Sequence, residues 1–191
     1  MREMKKLYLF DFDGTITTFD SFILFTFFSK NLFKSLSYWV TVIFLLPFKK
    51  KGKLKELYFK NFKNMSLIEF NQICKEFEKK TLTLIIKSKF KNFINKVEKD
   101  HQVVVVSASI SNYLKPWCNK MNFDLLSTEL EIKDGNLTGN FLNINCNGNE
   151  KVNRIKKKYD LSEFDEVHVF GNSKDDLPMM KLGTHRYYRF F

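Results

Sequence analysis

Leu7-Tyr8-Leu9-Phe10-Asp11-Phe12-Asp13-Gly14-Thr15 is the stretch on which the reading of the whole chain turns. Its first four residues are apolar, aromatic and β-prone, the pattern of a short buried strand, and Gly14 interrupts that pattern. Residues two apart on a strand face the same way, so Asp11 and Asp13 stand together at the strand's carboxyl end. Two carboxylates that close repel unless something holds them. A divalent cation is the simplest holder, with one carboxylate left to act as a nucleophile. The plainer alternative is a polar strand end feeding an Asp-Gly turn.

Outward from this stretch, the chain alternates strands and helices. Apolar residues run from Ser21 to Phe48, broken by Lys30 and Lys34, and the uncharged part, Ser35–Phe48, is only 14 residues long. That is short of the about 20 residues a membrane span needs; a buried or interfacial helix stopped by Pro47 and the Lys/Gly cluster is expected instead. Helical spacing follows over Lys53–Lys63 and Ser66–Lys80, the second opened by a Ser66/Glu69 capping box, and a further helix is expected over Leu82–Lys99. Val103-Val104-Val105-Val106 is a continuous β-branched run, the mark of a strand covered on both faces. Beyond it the pattern predicts a helix over Asn112–Met121 and a strand over Leu125–Glu131. Asp134-Gly135 and Gly139 mark a tight hairpin. A basic helix over Glu150–Tyr159, a strand over Val167–Phe170, a short helix near Pro178–Leu182 and a last strand over His185–Phe191 complete the order. This is an α/β core interrupted by a helical insertion.

The 191 residues suit one core with a modest insertion. Their net charge of +11 is unevenly placed: residues 19–99 hold 17 Lys and no Arg against 6 acids, whereas the remainder holds 15 basic and 15 acidic residues. The basic segment is also rich in Phe, including Phe19, Phe22, Phe25, Phe27 and Phe28. Such a segment suits anionic partners, namely phosphorylated substrates or acidic lipid surfaces, or is a solvated Lys-rich face. The absence of Arg from it argues against nucleic-acid reading. Met1 to Lys6 is charged and leads straight into the strand, so no secretory leader is expected. Cys74, Cys118 and Cys146 are too far apart for a metal spacing and odd in number for a disulfide framework, which fits a reducing, cytoplasmic setting.

Ligands in sheets of this kind bind outside the carboxyl ends of the strands. Three strand ends are polar: Asp11–Thr15, Ser107-Ala108-Ser109 and Gly171–Asp176. Lys151 opens a helix after Gly148-Asn149-Glu150. In order and spacing these four pieces resemble the four motifs of the haloacid dehalogenase superfamily of phosphohydrolases, over nearly the whole chain. The resemblance is to the phosphoserine-phosphatase-like branch, subfamily IB, whose helical cap is inserted between the first two motifs. Within it, Ser107–Phe123, Ser127–Phe141, Asn145–Ile155 and Gly171–Met179 look like the bacterial group containing phosphatidylglycerophosphatase C.

The resemblance implies a Rossmann-like three-layer core with a mainly parallel sheet, formed by residues 1–18 and 85–191, and a helical cap over residues 19–84. It also implies roles. Asp11 would attack phosphorus to form an aspartyl-phosphate, and Asp13 would serve as general acid and then base. Ser107 and backbone N–H groups near Phe12, Gly14, Ala108 and Ser109 would hold phosphoryl oxygens. Lys151 would offset the charge on Asp11 and the phosphoryl group. Magnesium would bind Asp11, the Asp13 carbonyl and the fourth motif. There the chain departs from the family: Asn172 stands where Asp is usual. The expected anion comes from Asp176, with Asp175 nearby, and magnesium binding is expected to be weaker. Asp20 is either a contact for the substrate or the N-cap of the next helix.

These readings lead to a magnesium-dependent phosphomonoester phosphatase. Its substrate would be a lipid-linked phosphate, and the basic, apolar cap either packs on its own core or makes peripheral contact with the inner face of a membrane. The alternatives are a small-metabolite phosphatase of the phosphoserine type and a non-catalytic binding protein with a weakened metal site.

Overall fold

The computed structural model describes residues 4–29, 51–97 and 101–191. The apolar stretch Ser35–Phe48 lies outside them, as does the end of the helix expected over Leu82–Lys99. The first strand, β1, is Lys6–Phe10. The insertion follows as α1 (Ser21–Phe28), α2 (Lys51–Phe59) and α3 (Leu67–Lys80), and α4 (Ser88–Ile94) leads back to the sheet. The core continues with β2 (Gln102–Ile110), α5 (Ser111–Met121), β3 (Asp124–Thr128), the hairpin β4 (Leu130–Lys133) and β5 (Asn136–Phe141), and α6 (Asn149–Lys158). It closes with β6 (Glu166–Gly171), α7 (Leu177–Met180) and β7 (His185–Tyr188). Among the described residues, no helix is long and apolar enough to cross a membrane.

The five-stranded sheet has the order β3-β2-β1-β6-β7, and every pairing in it is parallel. The chain builds outward from β1 through β2 to β3, then returns to the other side of β1 with β6. β1 is therefore the switch point of the topology, and a crevice opens at its carboxyl end. Register brings the polar strand ends together there: Phe10 pairs with Val105 on one side and Phe170 on the other. The Asp11 N–H extends the ladder by one bond to the Phe170 carbonyl, at 2.9 Å.

Alternation along the strands splits the core into two faces. Leu7, Leu9, Val104, Val106, Val167 and Val169 pack with Ile155 of α6 and Met179 of α7. Tyr8, Phe10, Val103, Val105 and Phe170 face the other way, and their cluster runs without a break into Phe22, Phe25, Tyr58, Phe59, Phe70 and Phe77 of the insertion. Phe25, fully buried, lies with its ring centroid 5.2 Å from Phe77 and 5.1 Å from Tyr113 of α5. The insertion is thus bonded to the core by a shared aromatic interior.

Two elements differ from the sequence expectation. Leu82–Lys99 is not one helix: Leu82–Ile85 is a 3-10 turn, and α4 begins only at Ser88. The backbone between them is recruited elsewhere, with the Thr18 N–H donating to the Ile85 carbonyl and the Lys87 N–H to the Ile16 carbonyl, each at 2.9 Å. β-branched Ile86, which bridges to Thr17, suits this extended backbone better than a helix. The strand expected over Leu125–Glu131 breaks at Glu129, so that β3 belongs to the sheet and β4 to the hairpin. The hairpin turn at Asp134-Gly135 has φ of +50° and +76°, the two positive values of a type I′ turn. Gly139 is not part of that turn. It lies where β5 passes the cap, and a Cβ there would meet Lys60 Cα at 2.8 Å.

Candidate active site

Asp11 ends β1 and is buried. Its Oδ1 accepts from Lys151 Nζ at 2.6 Å, and its Oδ2 from the Thr15 hydroxyl at 2.8 Å. Lys151 reaches it from the first turn of α6, and the same Nζ donates to Asp176 Oδ1 at 2.7 Å. Asp176 Oδ2 accepts from the Asn172 N–H, the Ser173 N–H and the Ser173 hydroxyl at 3.1, 3.0 and 2.7 Å. A buried lysine thus stands between two buried carboxylates, one from the first polar strand end and one from the last.

Charge and burial compete here. Burial raises the Asp11 pKa to about 6; the nearby charges of Asp176 and Asp13 add to that rise, and Lys151 opposes it. For Lys151, burial works toward neutrality, but Asp11 and Asp176 outweigh it and hold the ammonium above its usual range. Burial also acts to raise Asp176, yet Lys151 and the Ser173 donors more than offset it and keep the carboxyl low.

Asp13 has turned toward the insertion. Its Oδ1 accepts from the Ser21 N–H at 2.7 Å, at the first residue of α1, where the helix favours an anion. Its Oδ2 accepts from the Ser109 hydroxyl at 2.6 Å. The Ser21 hydroxyl links Ser109 Oγ, at 3.2 Å, to the Tyr113 hydroxyl, at 3.3 Å. Burial raises the Asp13 pKa and the Asp20 charge adds to it, while Lys55, Ser109 and Ser21 act in the opposite sense.

Of the two roles considered for Asp20, the N-cap is the one seen: its Oδ1 caps α1 through the Phe22 and Ile23 N–H groups, at 2.9 and 3.2 Å. The residue also lines the cavity over Asp11. That cavity encloses about 350 Å³. Asp11, Asp13, Gly14, Asp20, Ala108, Lys151, Asn172 and Asp176 all border it; Ser107 and Ser109 do not. Ser107 is fully buried, and its Oγ accepts from the Ser109 N–H at 3.0 Å. The Gly14 N–H is likewise engaged within the chain, by the Thr17 hydroxyl at 3.2 Å. Gly14 itself has φ of +79°, a conformation strained for any larger residue, and a Cβ on it would lie 2.0 Å from Asn172 Nδ2 and displace that side chain.

The donor set suits a hard cation. Five carboxylates, Asp11, Asp13, Asp20, Asp175 and Asp176, line the cavity against two lysines, Lys55 and Lys151. The lining offers carboxylate and Asn amide oxygens and no His or Cys, which is the chemistry of magnesium rather than of a soft transition metal. Asp11, Asp13 and Asp176 each have both oxygens engaged, and Asp176 accepts the most donors, with Lys151 on Oδ1 and three from the Asn172–Ser173 turn on Oδ2. The Asn172 side chain meets the first motif at Gly14.

Several partners carried no distinct sequence signal. Thr15 sits inside the first motif but has no feature that marks it as a donor to Asp11. Lys87, whose Nζ donates to the Gly14 carbonyl at 2.6 Å, is 73 residues away from it in the chain. Ser21 and Tyr113 are ordinary helix residues. Lys55 is carried to the cavity by α2, with its Nζ 5.1 Å from the centroid of the Phe22 ring.

Comparison with curated protein sequences returned no significant match. Solved structures share the fold at low identity. A protein of unknown function from Bordetella pertussis Tohama I superposes with a TM-score of 0.84 at 18% identity, covering 95% of this chain and 88% of that one. A substrate-bound phosphoserine phosphatase gives 0.66 at 17% identity, over 98% and 87% of the two chains. A phospho-aspartyl intermediate analogue of phosphoserine phosphatase gives 0.62 at 18% identity, over 95% and 84%. The family model for haloacid dehalogenase-like hydrolases matches residues 8–181, from inside β1 to the end of α7, and with all four polar segments inside that match the chain belongs to this family.

Proposed function

We propose that the chain is a magnesium-dependent phosphomonoester phosphatase that forms an aspartyl-phosphate on Asp11. The observation that carries this reading is the placement of Lys151 Nζ between Asp11 Oδ1 and Asp176 Oδ1, at 2.6 and 2.7 Å, beneath a cavity of about 350 Å³. A carboxylate cannot readily approach an anionic phosphoryl group unless cations cancel the repulsion. Lys151 supplies one fixed charge at the point where negative charge gathers in the transition state. The Asp11 carboxylate, the Asp13 carbonyl and the fourth-motif residues Asn172 and Asp176 would hold magnesium, which would supply further positive charge and polarise the phosphoryl oxygens.

In the first half-reaction Asp11 attacks phosphorus, the bond from phosphorus to the ester oxygen breaks, and Asp13 gives its proton to that departing oxygen. Burial raises the Asp13 pKa above the usual carboxylate range, which suits a group that must carry a proton to the departing oxygen. In the second half, Asp13 takes a proton from water as the water oxygen attacks the same phosphorus. The bond to Asp11 then breaks, and inorganic phosphate leaves. Asp176 braces Lys151 and the turn that carries Asn172.

Within the family, the motif resemblance supports the phosphoserine-phosphatase-like branch, subfamily IB, with residues 19–84 as its cap, and the group containing phosphatidylglycerophosphatase C. A lipid-linked phosphate is accordingly the proposed substrate. Ile23 and Phe27, four residues apart, are exposed on one side of α1, and Phe19 is exposed just ahead of its N-cap, Asp20, which suits peripheral contact with an anionic membrane face. The three cysteines are free and buried, in keeping with a reducing, cytoplasmic setting. A second reading, a non-catalytic phosphoester-binding protein, is favoured by Asn172 alone.

A substrate panel tests the proposal. Phosphoserine, sugar phosphates, nucleotides and micellar phosphatidylglycerophosphate are compared with magnesium and with chelator. Magnesium-dependent release of phosphate, lost by at least about a thousandfold in Asp11→Asn, is the expected result; equal turnover by that variant overturns the covalent mechanism.

A further inference from the structure

The chain has three histidines, and they gather at the amino end of the sheet, away from the catalytic cavity. The Tyr8 ring centroid lies 6.0 Å from that of His101 and 4.7 Å from that of His168, and His168 lies 4.5 Å from His185. Two of the three come with a carboxylate. Glu166 opens β6 and His168 follows two residues later, so both face the same way. Parallel pairing sets His185, the first residue of β7, directly beside His168. One carboxylate oxygen and one nitrogen from each of these two imidazoles lie within 4.8 Å of one another. The phosphatase chemistry uses none of them.

The surrounding bonds leave the lone pairs that a metal needs. The Thr184 hydroxyl donates to the Val167 carbonyl at 3.2 Å and accepts from the Val167 N–H at 2.9 Å. With its proton so placed, it accepts from His185 Nδ1, 3.1 Å away. That holds His185 as the tautomer whose lone pair is on Nε2, at an exposed position. The Tyr187 hydroxyl, 3.2 Å from His168 Nδ1, can hold the second ring in the same way. His168 Nε2 then faces Glu166 Oε2 at 2.8 Å. A zinc ion bound to one nitrogen and one oxygen keeps them roughly 3.0–3.5 Å apart, so this pair opens by only about half an ångström. His185, at the surface, swings to complete the set. Lys6 Nζ, 3.1 Å from Glu166 Oε2, competes with a cation for that oxygen.

We propose that Glu166, His168 and His185 form a site for a zinc-class transition metal, separate from the catalytic cavity. Two imidazoles and a carboxylate are a donor set for such borderline ions, whereas magnesium takes oxygen. A solvent molecule supplies the fourth ligand. The metal fastens β7, an edge strand, to β6. Just past the far end of β7, the Arg189 N–H donates to the Gly171 carbonyl at 2.9 Å and Arg189 Nε to the Asn172 carbonyl at 3.2 Å. The fastened strand is therefore the one that leads to a brace on the fourth motif. The site stands on its own geometry and does not depend on the phosphatase reading.

Calorimetric titration of zinc into tag-free protein tests the site, with excess magnesium present to compete for the oxygen-lined catalytic cavity. One equivalent of zinc should bind. His185→Gln, at an exposed position that leaves the sheet intact, should weaken binding at least about tenfold, and Tyr187→Phe, which removes the hydroxyl beside His168, about tenfold. His101→Gln should leave the affinity unchanged. In NMR spectra of the imidazole nitrogens, zinc should shift the His168 and His185 signals and leave those of His101 in place. Amide hydrogen exchange in β7 should slow when zinc is added. Failure to bind zinc in excess magnesium, or an affinity unchanged in His185→Gln, overturns the site. Exchange in β7 that zinc does not alter overturns the fastening of the edge strand.

Discussion

The catalytic cavity and the aromatic cluster beneath the insertion are held together by opposite means. In the cavity five carboxylates crowd two lysines, and order depends on each charge having a donor or counter-charge within hydrogen-bond reach. In the cluster, Phe25 meets Phe59, Phe62, Phe70, Phe77 and Tyr113 with no charge involved. The first arrangement is directional and costly to bury; the second is non-directional and strongly favourable. Each depends on the other. Tyr113 belongs to the cluster yet its hydroxyl reaches Ser21, which donates to Asp13, so the apolar interior sets where a charged group can stand.

Removing a member from each region measures the contrast. Lys151→Ala leaves Asp11 and Asp176 buried without their cation. Loss of turnover beyond about a thousandfold is expected, with about 3–5 kcal/mol lost from unfolding free energy in urea. A stable, active variant would remove the charge argument altogether. Phe25→Ala should cost a similar 3–5 kcal/mol through the cavity it leaves, or roughly 10 °C in Tm, but should reduce activity far less than Lys151→Ala. If it abolishes turnover as completely, the aromatic cluster positions the site as tightly as the ion pairs do.

The pH dependence separates the two regions in a third way. The Asp11 pKa is raised in the folded protein from 3.8 to about 6. Its contribution to stability is therefore fully present below about 4 and is lost as pH rises through about 6, a change of about 3 kcal/mol. Urea unfolding in chelator from pH 4 to 7, comparing the protein with Asp11→Asn, should show that difference in slope. Magnesium should restore part of it at pH 7 and little at pH 4. An identical slope in both proteins would mean that Asp11 is not the strained carboxylate. The smallest effect expected is that of Asn172→Asp, which adds a formal charge beside Gly14. Magnesium should bind about tenfold more tightly, as read from the concentration giving half-maximal activity or thermal shift. No change would place the cation away from Asn172.

Patterns of neighbouring residues carried much of this molecule in plain view. The apolar run before Asp11, the four valines of β2 and the Asp134-Gly135 turn each correspond to the observed element, because strand burial and turn geometry are decided within a few residues. The helix expected over Leu82–Lys99 failed for a non-local reason: the backbone at 85–87 bonds to residues 16–18, which the local pattern cannot register. The same limit hid Thr15, Ser21 and Lys87 among ordinary polar residues.

Asp176 shows where the boundary lies. Its spacing after Gly171 was enough to mark it as part of the polar strand end, and residue type made it a carboxylate. Whether that carboxylate would meet a cation or a lysine depended on α6 bringing Lys151 to within 2.7 Å and on the turn at Asn172–Ser173 closing over the other oxygen. Chemistry of the side chain and strand period are local properties and can be read along the chain. Which charges are buried together, and so which pKa values move, depends on register across β1, β2 and β6 and on the docking of helices far apart in sequence; it exists only once the sheet has assembled.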